Sequence, residues 1–219
     1  MKPQLLDLFN TAPTFNNFIA IGNEAIYASL NNSTHQFTHI TGIKSSGKTH
    51  LLKAWVNMHL GHNKSAIYLD ANAQPQIKIL ESNYQFIAID NIEVLTNNLQ
   101  IELFDLFNTI KLNSKNNFLL TSSRKSFDTN HSMRDDLITR ILSGLNLQLV
   151  ALNDEELFMG ISSYIKKEGF NFGEAELKYL ISHYERNIGT LIKKIHLIAD
   201  EALLQKRDIT IPLIKQVAQ

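Results

Sequence analysis

The sequence predicts an α/β fold in which a parallel five-stranded sheet is followed by an all-helical unit. Three observations predict it. Short apolar runs alternate with helical patterns from residue 15 to about 150, the order that builds parallel sheets. One run leads straight into a glycine-bounded loop and then a helix. From residue 151 onward only helical spacing remains. At roughly 150 residues per domain, 219 residues make about one and a half domains, so a second, smaller unit is expected.

Residues 37–41 form the first expected strand, running into Gly42. Residues 49–60 have helical spacing, stopped by Gly61. Residues 65–70 read as a second strand. Residues 86–89 are continuously apolar up to Asp90, as a strand buried on both faces is. Residues 99–112 form an amphipathic helix carrying Leu103, Phe104, Leu106, Phe107 and Ile110. Strands follow at 117–121 and 145–150. The last zone opens at Asn153, a helix cap that Glu156 completes as a capping box. That helix is expected to end near Gly169. Two more are expected at about 174–184 and 188–206, and a short one starts at Thr210 with Pro212.

Composition narrows the function classes. Lys plus Arg number 21 and Asp plus Glu 21, a zero net charge that argues against a dedicated DNA-coating protein. Cysteine is absent, which excludes a disulfide scaffold and any cysteine-ligated zinc or iron–sulfur site. No apolar run reaches the length of a membrane span and no secretory signal opens the chain, so a cytoplasmic protein is expected.

Gly42-Ile43-Lys44-Ser45-Ser46-Gly47-Lys48-Thr49 matches the phosphate-loop pattern G-x-x-x-x-G-K-[ST] in full. The glycines let the backbone turn tightly and approach phosphate, and the loop N–H groups with the following helix N-terminus cradle the anion. Lys48 is expected to neutralise the β and γ phosphates, and the Thr49 hydroxyl to ligate Mg²⁺. Asp90, closing its apolar strand, suits a Walker B magnesium ligand. The next residue is Asn91, where many ATPases place a second carboxylate to activate water. Glu93 lies two residues later, a spacing from which its side chain is not expected to reach. The expectation is binding of ADP or ATP with Mg²⁺ and slow hydrolysis.

These motifs, with Leu120-Thr121-Ser122-Ser123-Arg124 and a helical C-terminal zone in the same order, resemble the AAA+ P-loop NTPase module of the DnaA initiator family. Thr14-Phe15-Asn16-Asn17-Phe18 is similar to that family's N-linker, which packs near the adenine. The resemblance implies an α/β nucleotide-binding domain at 14–150 and a helical lid at 151–219, with Ser122 and Ser123 as sensor 1. The segment 137–145, Leu-Ile-Thr-Arg-Ile-Leu-Ser-Gly-Leu, is similar to the family's S-R-F-G-W-G-L stretch, which puts Arg140 on the trans-acting arginine finger. Three departures stand out. The sequence stops after the lid, without the family's DNA-binding domain, so no sequence-specific DNA binding is expected. Asn91 replaces an acid. Gly189 occupies the sensor-2 arginine position, with Arg186 three residues earlier as a substitute.

The tail at 1–13 holds Gln4-Leu5-Leu6-Asp7-Leu8-Phe9, which resembles the peptide by which bacterial replication proteins bind the sliding clamp. Gln4 would make polar contacts while Leu5, Leu8 and Phe9 enter an apolar pocket. An amphipathic turn packing on its own domain is the alternative. Together the resemblances imply a replication-initiation regulator, replisome-associated, whose partners are the clamp and DnaA and whose Arg140 promotes ATP hydrolysis on DnaA. A homo-oligomer is left open. The rivals are an AAA+ replication or helicase loader and a small P-loop kinase. His59 and His62 lack an acidic partner in register and are not expected to bind metal.

Overall fold

The computed structural model describes residues 12–32, 35–77, 80–113, 116–127, 132–184 and 187–218. The sliding-clamp residues Gln4, Leu5, Leu8 and Phe9, and also Arg186, lie outside the described residues. The described chain divides into two units, 12–151 and 152–218.

In the first unit the order is α1 (Glu24–Asn31), β1 (Phe37–Thr41), α2 (Lys48–Gly61), β2 (Ala66–Asp70), α3 (Leu80–Asn83), β3 (Phe86–Asp90), α4 (Asn97–Asn113), β4 (Phe118–Ser123), α5 (Asp135–Leu142) and β5 (Leu145–Gln148). The sheet runs β2–β3–β4–β1–β5 with every pairing parallel. Side chains alternate across its faces. Ile40, Phe86, Ala88 and Leu120 pack against Leu51, Leu52 and Trp55 of α2. Ile87, Ile89 and Leu119 pack on the other face with Leu103, Leu106 and Phe107 of α4 and with Leu137 and Ile141 of α5. Helix α1 carries only Ile26 and Leu30 as buried residues, too few for its periodicity to announce it. Strand β4 runs on through Ser122 and Ser123, beyond the expected end at 121, because β1 pairs with it to Thr41.

The second unit is helical: α6 (Asp154–Glu168), α7 (Glu174–His183), α8 (Ile188–Leu204) and α9 (Ile211–Val217). Asn153 accepts from the Glu156 N–H and Glu156 bonds back to the Asn153 N–H, the expected capping box. Gly169, at φ 74°, ends α6 in the left-handed region. Leu157, Ile161, Leu180, Leu191, Ile195, Ile198 and Leu213 form the core. Gly189 lies in the first turn of α8, and a Cβ there would sit 3.2 Å from the Asn187 oxygen that caps the helix.

Candidate nucleotide-binding site

The loop between β1 and α2 has the handedness a phosphate cradle requires. Ser45 at φ 65° and Gly47 at φ 100° are left-handed, an alternation that turns successive backbone N–H groups to one side. Side chains are excluded where the two glycines stand. A Cβ on Gly42 would lie 2.7 Å from Ser46 Oγ and 3.0 Å from Leu149 Cβ, and one on Gly47 would lie 2.8 Å from the Phe18 ring. Ile43 and Lys44 are exposed. Lys48 opens α2, is buried, and donates to the carbonyls of Gly42 (2.5 Å) and Ile43 (2.9 Å). Burial pushes its ammonium below the usual lysine range, while the carboxylates of Asp90 and Glu93 pull the other way and Arg124 adds repulsion.

Sheet parity brings Asp90 to this loop. Asp90 shares the face of Phe86 and Ala88, so it meets the start of α2, where Thr49 Oγ1 donates to its Oδ2 at 2.5 Å. Tyr68 OH donates to the same oxygen at 3.0 Å. The Asn91 N–H donates to Oδ1 at 3.0 Å, and Ser122 Oγ donates there as well. Asp90 is fully buried with four donors. Burial, and then the Asp90 charge, pushes the Tyr68 hydroxyl far above the usual tyrosine range. Alternation along β2 puts Tyr68 on the Ala66 face and so beside Asp90, a partner the sequence reading missed.

The two serines part. Ser122 faces Asp90, whereas Ser123 lies on the opposite face, where its hydroxyl donates to the Lys125 carbonyl and meets His39 Nε2 at 3.1 Å. Buried His39 also meets Thr121 Oγ1 at 2.8 Å and stacks on Phe127, and burial lowers its imidazole to about 4.

Beyond Asp90 the chain reverses. Asn91 is left-handed at φ 59°, and its amide is drawn to Asp70 Oδ1 at 3.0 Å. Burial raises Asp70, but the bonds from Asn72 and Asn91 and the Lys53 charge outweigh it and hold the carboxyl low. The reversal launches a 3₁₀ turn, Ile92–Val94, that swings Glu93 back. Glu93 Oε1 accepts from the Arg124 N–H at 3.2 Å and lies 3.6 Å from Arg124 Nε. The turn at Asn91 thus sets Glu93 against Arg124, from where its charge acts on Lys48.

The linker is tied to the same helix. His50 Nε2 lies 2.9 Å from the Thr14 carbonyl, Asn57 donates to the Pro13 carbonyl at 2.8 Å, and the Phe18 and His50 rings are 5.5 Å apart. Arg140 stands in the last turn of α5, half-buried, with its guanidinium 5.7 Å from the Phe104 ring centroid and no ion pair among the described residues. Those residues hold no cluster of three metal-ligating side chains, and His59 instead stacks on Phe86 at 3.5 Å. No helix among them is long and apolar enough to cross a membrane.

A β1–phosphate loop–α2 unit on a sheet of this strand order, followed by a helical unit, defines an AAA+ P-loop module. Comparison with known proteins agrees. The family model described as the lid domain of Hda matches residues 154–218. An uncharacterised protein of Haemophilus influenzae is 30% identical over 214 residues, covering 93% of this chain and 92% of that one. Domain III of the Thermotoga maritima replication initiation protein DnaA superposes with a TM-score of 0.74 at 18% identity, over 95% of this chain and 96% of that one. AMPPCP-bound DnaA from Aquifex aeolicus gives a TM-score of 0.67 at 25% identity, over 91% of this chain and 70% of that one. The chain belongs to the Hda-like family of DnaA-related AAA+ proteins.

Proposed function

We propose that this chain is a regulator of replication initiation that binds adenine nucleotide, docks on the sliding clamp and stimulates ATP hydrolysis on DnaA. The Hda lid match and the DnaA-like module support the DnaA partnership. The observation that carries the proposed mechanism is Arg140, a guanidinium at the end of a surface helix, resting on an aromatic ring rather than on a carboxylate. A cation with no acid to leave is available to a partner's phosphates, and its planar fork suits them.

The phosphate loop fits a nucleotide. Ser46 Oγ is buried with no hydrogen-bond partner among the described residues, and neither Gly42 nor Gly47 has room for a side chain. Lys48 would hold the phosphates. Thr49 and Asp90 offer the hydroxyl–carboxylate oxygen pair that suits Mg²⁺, a cation that would neutralise phosphate charge. The AMPPCP-bound relative supports the ligand class. Asn91, engaged with Asp70, supplies no base for water, which fits slow turnover on this chain's own nucleotide.

A pull-down with purified clamp and DnaA, with and without residues 1–10, tests the partners. The full chain is expected to retain both. The truncated chain is expected to lose the clamp. Clamp retention without residues 1–10 refutes the tail as anchor, and failure of the full chain to hold DnaA refutes the reading as a whole.

A further inference from the structure

Glu93 and Arg124 pair beyond the ends of β3 and β4, the edge at which open parallel sheets bind ligands, and both charges act on Lys48. Lys48 rises from the phosphate loop, Glu93 returns on the turn after Asn91, and Arg124 follows Ser123 directly. Glu93 Oε1 is shared between the backbone N–H and the guanidinium of Arg124. Its Oε2 is shielded from solvent and has no hydrogen-bond partner among the described residues. The guanidinium is held loosely, at 3.6 Å with its side chain 56% exposed. So long and exposed a bridge adds little to stability.

We propose that Arg124 distinguishes a nucleoside triphosphate from a diphosphate, by exchanging Glu93 for the terminal phosphate. The inference rests on the nucleotide-binding reading of the loop and deepens it. A diphosphate is served by the loop N–H groups and Lys48. The further phosphate of a triphosphate adds negative charge near a carboxylate already there, and that repulsion must be compensated. Arg124 is the guanidinium beside that carboxylate, and it gives up little by leaving. In exchange it gains charge-assisted bonds to phosphate, for which its fork is suited. Glu93 thereby sets the threshold: it restrains Arg124 and opposes the additional phosphate.

Titration calorimetry with Mg-ADP and with Mg-AMPPCP separates the outcomes. The parent protein is expected to bind both. Arg124→Ala is expected to weaken AMPPCP at least about tenfold, the effect of one lost charge-assisted bond, and ADP by less than about twofold. Glu93→Gln, which keeps shape and removes charge, is expected to tighten AMPPCP by about threefold or more. The opposite signs exclude a merely structural brace, for which both variants would act alike. Equal effects of Arg124→Ala on the two nucleotides, or weaker AMPPCP binding by Glu93→Gln, would overturn the inference while leaving the nucleotide reading intact. A parent protein that binds neither nucleotide would overturn both.

Discussion

Replacing Gly144 with alanine tests how tightly helix α5 is coupled to the sheet. Gly144 joins α5 to β5, and Asn146 fastens that turn by donating to the carbonyls of Leu142 and Gly144. An added Cβ would lie 2.6 Å from the Phe37 carbonyl oxygen and 2.9 Å from Phe37 Cβ. Ordinary contact begins near 3.4 Å, so the turn and β1 must separate by about 0.8 Å. Neither side yields easily. Phe37 opens β1 and stacks on Phe107 at 3.8 Å, and the next residue, Thr38, is paired with Leu145. Overpacking of this kind costs about 1–3 kcal/mol. Gly61 is the control, because a Cβ there meets nothing within 4 Å, and alanine at the end of α2 should be neutral or stabilising by up to about 1 kcal/mol. Urea unfolding followed by the fluorescence of Trp55, the sole and buried tryptophan, reports on this unit. Gly144→Ala should lose stability and Gly61→Ala should not. A Gly144→Ala protein within about 0.5 kcal/mol of the parent would refute the claimed steric lock.

Three further outcomes follow from the site and from the buried histidine. Lys48→Ala should abolish measurable ADP binding by calorimetry while the parent binds, and the parent's own ATP turnover should fall below the usual enzyme range of about 1–10³ s⁻¹; ordinary turnover would contradict the reading of Asn91. His39 titrates near 6.5 when unfolded and at about 4 when folded. As pH falls the unfolded chain therefore takes the proton first, so stability is full above about 6.5 and declines toward about 4, by about 3 kcal/mol in all. Urea midpoints at pH 7 and 5 should show that decline in the parent and less of it in His39→Gln; an identical slope in both would contradict it.

Strongly local signals were legible in the sequence. The phosphate loop, the Asp90 strand and the Asn153–Glu156 capping box each depend on residues a few positions apart, and each is found where expected. Parity was also legible in principle. Ser122 and Ser123 cannot share a face on a strand, so only one could meet Asp90, and the register Ile89↔Thr121 decides that it is Ser122. What was hidden depends on backbone handedness. Nothing in Asp90-Asn91-Ile92-Glu93 announces that Asn91 takes φ 59°, the torsion that opens the turn carrying Glu93 to the Arg124 N–H. Tyr68 was hidden for another reason. Its hydroxyl reaches Asp90 across two paired strands, a contact fixed by register and not by spacing along the chain.

The proposed function stands most directly on hydrolysis of ATP bound to DnaA, measured with clamp and DNA present, with the parent protein or Arg140→Ala added. In phosphoryl transfer a guanidinium delivered in trans is worth about 10³–10⁵ in rate. The parent should stimulate hydrolysis. Arg140→Ala should lose the stimulation while still binding ADP and the clamp, and Arg140→Lys should restore little, because an ammonium lacks the fork. Equal stimulation by Arg140→Ala and the parent would refute the finger, and a parent that gives none would contradict the regulator reading in favour of a loader.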